Sequence, residues 1–321
     1  MDNKLLKFLL LSILPVWMLA SCTDEVAIDN QTAGISLKIL LNESTTRSSV
    51  DPGTDSENNL QDVGIWLFKK FDLDEPCVLY RNVTVNGSEA YVTFTNKEVE
   101  EKGIDLDTTR FVIYAVANTK KNSITALDDK ITLKEIKGLV FKKTYNMTDG
   151  GRPVSPFLMS GMLEYTFNKS KTATVTLVRT AVKLNVSVKD STNFELKSLT
   201  VSIENDFSNV GVFSPLPLDG VVGIPFPANQ KWQKNISGSQ ALLYINEYMG
   251  TTPLALTVQG KSGSLTYKWT VPLVFNGSGK LMRNTAYNIN IRLGAYTPEV
   301  EVNAIPWSGV NTDDDQILLP D

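Results

Sequence analysis

The chain has 321 residues, 31 Lys and Arg against 35 Asp and Glu, a net charge of −4, 42% apolar residues and no histidine. That apolar fraction is globular rather than disordered, and a mildly acidic balance without a basic cluster argues against a nucleic-acid partner. The missing histidine excludes Ser/His and Cys/His nucleophile systems and histidine-ligated metals. No G-x-S-x-G, S-x-x-K, P-loop or paired C-x-x-C occurs. Two carboxylates could still run a glycosidase, but no acidic residue stands in a motif that sets it apart, so we expect neither an enzyme nor a cofactor.

The N-terminus reads as an export signal. Lys4 and Lys7 precede an apolar run, Phe8 to Ala20, whose 13 residues fall short of the roughly 20 that span a bilayer. Leu19-Ala20-Ser21-Cys22 matches the bacterial lipobox, in which the cysteine is acylated and becomes the new N-terminus. Residues 1–21 are therefore expected to be removed and Cys22 lipidated. Thr23-Asp24-Glu25 resembles the acidic signal that sends lipoproteins to the cell surface in some Gram-negative anaerobes. The signal carries Asp2, Lys4 and Lys7, so its loss takes the net charge from −4 to −5. About 300 mature residues favour two domains. Only Cys22 and Cys77 remain, so an internal disulfide is excluded and Cys77 is expected to fill a buried or half-buried gap.

After a polar tether from Thr23 to Thr32, Ile35, Leu37, Ile39 and Leu41 alternate with Ser36, Lys38 and Leu40, the period of a half-buried strand. Asn42 to Asn59 is polar, with Val50 as its one apolar side chain besides turn formers, and is expected to be an exposed loop. Arg47 stands in it, followed by Ser48, where an arginine-specific protease could reach extended backbone. Strands are expected at Val63 to Phe68, Ala90 to Phe94 and Phe111 to Val116, a helix from Ile124 to Val140, a turn at Phe157 to Gly161, and strands at Tyr165 to Phe167 and Ala173 to Val178. A second set alternates at Val182 to Val188, Leu199 to Ile203, Ala241 to Tyr248, Leu254 to Val258, Leu265 to Val271, Tyr287 to Leu293 and Val300 to Ala304. Short strands at this spacing indicate two all-β units in sandwich form, with a boundary near residue 180.

The run AGISLKILLNESTTRSSVDPG, the strand ending AVANT at Ala115 to Thr119, the FLMSG turn, and LVRTAVKLNVSV across the boundary form an ordered set. Arg283-Asn284-Thr285-Ala286-Tyr287 and VEVNAIPW at Val300 to Trp307 complete it. In order and spacing this set resembles FimA-type fimbrillins, the type V pilins of oral and gut anaerobes. The resemblance implies two tandem β-sandwich (transthyretin-like) domains, at 48–180 and 181–321, with a minor helical segment in the first. It implies a propeptide, 22–47, carrying the lipid on Cys22 and a removable strand (Ile35, Leu37, Ile39, Leu41), with cleavage between Arg47 and Ser48. The opened groove would then take a donor strand from another subunit, homo- or hetero-polymeric. The donor candidates are Val300, Val302 and Ala304, with Ile305 and Ile317 to Leu319 beside them, although closing the second domain is an equal reading of residues 298–305. The implied place is the outer membrane through the lipid, then a fimbrium serving adhesion. The acidic run Asp313 to Asp315 departs from a stalk pilin's donor segment and leaves an anchor, accessory or tip subunit open. A surface glycan-binding lipoprotein, with Trp66, Trp232, Trp269 or Trp307 as platforms, is the reading from another class.

Overall fold

Period-two alternation makes most of this chain sheet. The structure, a computed structural model, describes residues 33–41, 54–70, 73–142 except 123, 125 and 126, 155–189 except 169, 198–204, 209–213, 232–236, 239–249, 253–293 except 263, and 298–307. The elements begin with β1 (Ala33–Leu41), α1 (Asp55–Asn58), β2 (Leu60–Lys69), β3 (Leu79–Gly87), β4 (Glu89–Thr95), α2 (Asn96–Glu101) and β5 (Phe111–Ala117). They continue with α3 (Leu133–Lys137), β6 (Val140–Lys142), β7 (Met159–Tyr165), β8 (Thr172–Arg179), β9 (Ala181–Lys189), β10 (Ser198–Glu204) and β11 (Asn209–Gly211). The last are β12 (Trp232–Ile236), β13 (Gln240–Asn246), β14 (Ala255–Ser262), β15 (Leu265–Pro272), β16 (Thr285–Arg292) and β17 (Glu299–Pro306).

One sheet has the order β3-β2-β5-β7-β8-β1-β4. It turns over between β7 and β8, which pair only at Met159 with Arg179 and Ser160 with Val178. A Cβ on Gly161 would stand 2.2 Å from the Thr176 carbonyl oxygen, so only glycine permits the approach there. The turn brings β8-β1-β4 across from β2-β5-β7 as a nearly closed barrel-like sandwich, and one apolar core takes side chains from both halves, among them Ile39, Val175, Ile65, Ile113 and Phe94. The other face of β2 and β5 is buried as well, with Trp66, Phe68, Val112 and Tyr114 packing on Leu133 and Ile136 of α3 and on Val212.

The later strands make two four-stranded sheets, β13-β9-β16-β17 and β12-β10-β14-β15, and residues from both, such as Leu184, Ile289, Leu256 and Val271, share a second core. Within β9, Ala181 still belongs to the first core, together with Ala286 and Trp307, and Val182 to the second. A two-stranded pairing of β6 with β11 links the halves of the chain.

Several expectations are corrected. The helix expected over 124–140 is confined to Leu133–Lys137, because the backbone carbonyls before it serve other partners. Trp66 Nε1 donates to the Asp128 carbonyl at 2.9 Å, Cys77 Sγ to that of Asp129 at 3.3 Å, and Tyr80 Oη to that of Leu127 at 3.2 Å. The strand expected at Tyr165 to Phe167 begins earlier, and the FLMSG stretch enters it instead of turning. In β3, whose strand went unforeseen, Arg81 shares the inward side with Val83 and Val85 and masks the apolar period. The loop expected through Asn59 ends sooner, since α1 follows Thr54 and Glu57 is buried.

Candidate functional site

The arrangement begins with β1, which lies between β8 and β4. It runs parallel to β8, pairing Ser36 with Thr172 through Leu41 with Leu177, and Ser36 N donates to the Lys171 carbonyl at 2.8 Å. Gly34 lies against Thr95 while Lys38 reaches Glu89, so β1 and β4 run in opposite directions. Ile35, Leu37, Ile39 and Leu41 are all 0–2% exposed, a burial worth roughly 6–12 kcal/mol at about 1.5–3 per side chain. Net stability of a domain is about 5–15 kcal/mol, so a form that lost β1 and gained nothing would be close to unfolding.

The outward side of β1 carries charge. Lys38 Nζ lies 3.2 Å from the Glu89 carboxylate and 5.7 Å from the Tyr91 ring centroid, and Tyr91 Oη donates to Glu89 at 2.9 Å. The Tyr91 hydroxyl, and after it Lys38, hold the Glu89 carboxyl below its ordinary range, while the hydrogen bond from Lys38 to Glu89 raises the lysine. At the far side of β4, Arg81 bridges the two ends of the seven-stranded sheet. Its Nη1 donates to the Thr93 carbonyl at 2.7 Å, it pairs with Glu98, and its Cζ lies 4.9 Å from the Phe94 ring centroid.

Of the residues singled out in the sequence, Ile35, Leu37, Ile39 and Leu41 form the inner face of β1. Cys22, Arg47 and Ser48 lie outside the described residues, which stop at Leu41 and resume at Thr54. Val300, Val302 and Ala304 lie on β17, an edge strand, opposite Ile291, Ile289 and Tyr287 of β16. They are half-buried on the second core, the place that closing their own sheet requires. Ile317 to Leu319 and Asp313 to Asp315 lie outside the described residues. Trp66, Trp269 and Trp307 are at most 8% exposed, which removes them as glycan platforms; the Trp232 side chain lies outside the described residues. Cys77 is buried, and desolvation pushes its thiol up to about 12, so it offers no thiolate. Among the described residues no group of three His, Cys, Asp or Glu could hold a metal.

The motifs that carried the family resemblance meet in space. Asn118 of AVANT adopts φ 63° and its Nδ2 donates to the Phe157 carbonyl of FLMSG at 2.7 Å, while Thr119 N donates to Asp62 at 2.9 Å. Arg179 of LVRT is fully buried. Its Nε donates to the Glu57 carbonyl at 3.2 Å, and its Nη1 to Asn284 Oδ1 at 2.8 Å and the Trp307 carbonyl at 2.9 Å. Its Nη2 donates to Asn58 Oδ1, and its Cζ lies 4.7 Å from the Trp307 ring centroid. Lys183 reaches the Glu57 carboxylate at 3.4 Å, to which Tyr244 Oη also donates. A planar guanidinium with five donors can gather that many acceptors; an ammonium cannot. The knot fixes the chain just after the stretch that holds Arg47 and just before the C-terminal tail.

Glu57, Arg179, Lys183 and Asn284 were not foreseen as a group. A local signal was present for one of them: Thr54-Asp55-Ser56-Glu57 is a capping box, as are Thr95 to Glu98 and Thr132 to Glu135, and each opens one of the helices. Nothing local marks Arg179, whose partners lie about 100 or more residues away in sequence.

No family model and no curated protein matches this chain. Solved structures do. A structure described as a cell adhesion protein from Parabacteroides distasonis is similar with a TM-score of 0.60 at 12% identity, covering 88% of this chain and 99% of that one. Another cell adhesion protein, from Bacteroides eggerthii, gives 0.55 at 15% identity over 86% and 97%. The tip fimbrial protein Mfa3 from Porphyromonas gingivalis, with a C-terminal truncation, gives 0.51 at 13% identity over 85% and 100%. What these likenesses establish is a shared fold.

Proposed function

We propose that this chain is a structural subunit of a bacterial surface fimbria, in the manner of the FimA-type fimbrillins, with its strands divided near residue 180 into two tandem transthyretin-like sandwiches. It is exported as a lipoprotein precursor, held to the outer membrane through Cys22, and processed between Arg47 and Ser48. Processing frees β1, and a strand from another subunit takes its place by β-strand addition. Contacts of this head-to-tail kind do not close on themselves, so they build a filament. The role is structural and needs no catalysis or cofactor.

The observation that carries this proposal is β1 itself. A strand whose inner face is wholly apolar and buried lies between two others, and the chain continues from it into residues 42–53, which include Arg47. The fimbrial and adhesion names borne by proteins of the same fold agree with it. The test is to incubate purified precursor with an arginine-specific protease, sequence the new N-terminus and look for filaments by electron microscopy. Ser48 as the new terminus with loss of residues 22–47 is expected. An uncut chain, or one cut elsewhere with β1 retained, would sink the proposal.

A second version, an accessory or tip subunit that accepts a strand but does not donate β17, is favoured by one observation. Val300, Val302 and Ala304 are paired along β16, and Trp307 at the strand's end is locked under Arg179. In that version the processed chain caps filaments of another subunit and forms none alone.

A further inference from the structure

We infer that the slot held by β1 recognises a strand of the order glycine, apolar, any, apolar, basic, apolar, any, apolar, supplied by a chain other than this one. This rests on the proposal above that β1 is replaceable. It goes further in naming what the replacement must look like and in excluding this chain's own C-terminal segments.

The glycine requirement comes from the walls. A Cβ at position 34 would stand 2.9 Å from the Thr95 carbonyl oxygen and 3.0 Å from Val99 Cγ2. Thr95 cannot yield easily, because it caps α2: its N–H donates to Glu98 at 2.7 Å and its hydroxyl accepts from Glu98 N at 3.3 Å. Glu98 is held in turn by Arg81. Overfilling so tight a contact weakens binding. The four apolar positions are those of Ile35, Leu37, Ile39 and Leu41, packed in an apolar core with Val175, Ile65, Ile113 and Phe94. The basic position is that of Lys38, where the Glu89 carboxylate and the Tyr91 ring wait on β4. Direction is set by the parallel register with β8.

This chain's own candidates fail the pattern in that direction. If Val300 takes the place of Ile35, Glu299 falls where glycine is needed and Pro306 where the last apolar side chain sits. If Gly309 takes the place of Gly34, Val310 fits, but Thr312, Asp314 and Gln316 enter the remaining apolar positions and Asp313 faces Glu89. Burying such groups unpaired discriminates strongly against the wrong strand, and a like charge opposite Glu89 adds a smaller, salt-screened penalty. The partner is therefore a second kind of subunit bearing the pattern, and the filament position is heterologous.

The test uses the full chain, nicked by limited proteolysis between residues 42 and 53, and measures exchange of β1 for labelled peptides in moderate urea. The peptide AGISLKILL should exchange in. Its Gly34→Ala form should bind about tenfold more weakly and its Gly34→Val form not measurably. Its Lys38→Glu form should bind about threefold more weakly at low salt, with the difference gone at high salt. Peptides spanning residues 299–306 and 309–316 should not compete. If those two compete as well as AGISLKILL, or if Gly34→Val binds equally, the inference is overturned while strand replacement stands. If no peptide exchanges, AGISLKILL included, strand replacement itself fails and the inference with it.

Discussion

The family resemblance makes β1 a strand to be given up and β17 a candidate to be given away, but the structure holds the two by different means. β1 is paired on both sides, with an inner face that is wholly apolar and the part-exposed Lys38–Glu89 ion pair on the other. β17 is an edge strand with half-buried side chains, yet it ends in Trp307, under a buried guanidinium that also grips the chain at Glu57. Apolar burial is non-directional, so any strand of the right pattern can supply it. A buried charge hydrogen-bonded to named acceptors is specific to the groups that make it. What holds β1 could thus be supplied by another strand of the same pattern, whereas what holds the end of β17 is specific to its own groups.

The largest expected effect tests the fixed end. Arg179→Met leaves the carbonyls of Glu57 and Trp307 and the amide of Asn284 without their donor, and leaves Glu57 short of a neighbouring cation. Breaking a buried charge cluster on one side costs about 3–5 kcal/mol, read as a lower urea midpoint. Arg179→Lys should recover little of it, because one ammonium cannot serve acceptors spread across the guanidinium plane. Recovery of most of the loss by lysine would show that charge alone holds the knot.

Ile39→Ala should cost about 2–5 kcal/mol in the precursor, for the lost transfer free energy and the cavity left behind. The comparison sharpens after processing. Once β1 has left, Ile39→Ala should have no effect on the processed subunit, whereas Arg179→Met should destabilise both forms equally. A processed subunit that still feels Ile39→Ala has kept its first strand.

Much of the fold was legible, and for a reason: wherever one face is buried, alternation must appear in the sequence. Thus Val182 to Val188, Leu265 to Val271 and Ile35 to Leu41 were readable as strands. Alternation fails where a polar side chain works inward, as Arg81 does in β3, and where a turn is replaced by close packing, as at Gly161. The candidate site divides the same way. β1's inner face is a local pattern; the knot at Arg179 joins residues from 57 to 307, and its members were visible only as parts of separate motifs. Those motifs had no evident common purpose until Asn118, Arg179, Asn284 and Trp307 proved to touch each other or each other's neighbours. The capping boxes at Thr54 and Thr95 were available in the sequence and unused, because a single turn of helix has no period to notice.

Arg81→Gln probes what remains of the slot when β1 is absent. β4 has β1 as its hydrogen-bonded strand neighbour, and its other edge is held by Arg81. In the precursor the change should cost about 1 kcal/mol, since the Glu98 pair is partly exposed. After processing, hydrogen exchange of the β4 amides should quicken well beyond that seen in the precursor, because the clamp is then the main restraint on that strand. Equal exchange in the two forms would mean that β4 is held by its core side chains alone.

The smallest expected effect is on Lys38, and its sign follows from the two ionisations. Glu89 is held below its ordinary value of 4.5 in the folded state, so its contribution is present above about pH 4.5 and is lost as pH falls through the lowered value. Lys38 is raised above 10.5, so its contribution is present below that pH and is lost as pH rises through the raised value. The pair therefore contributes fully between those limits. With side chains 34% and 43% exposed, solvent screening keeps the pair to under about 1 kcal/mol. Lys38→Met should accordingly lower the urea midpoint slightly at pH 7 in low salt, by less as the pH falls below 4.5 and Glu89 takes up its proton, and not at all in 1 M salt. A loss that persists in 1 M salt would assign the stabilisation to the lysine's methylene stem on Tyr91 rather than to its charge, and the basic position in the slot's pattern would then accept any long side chain.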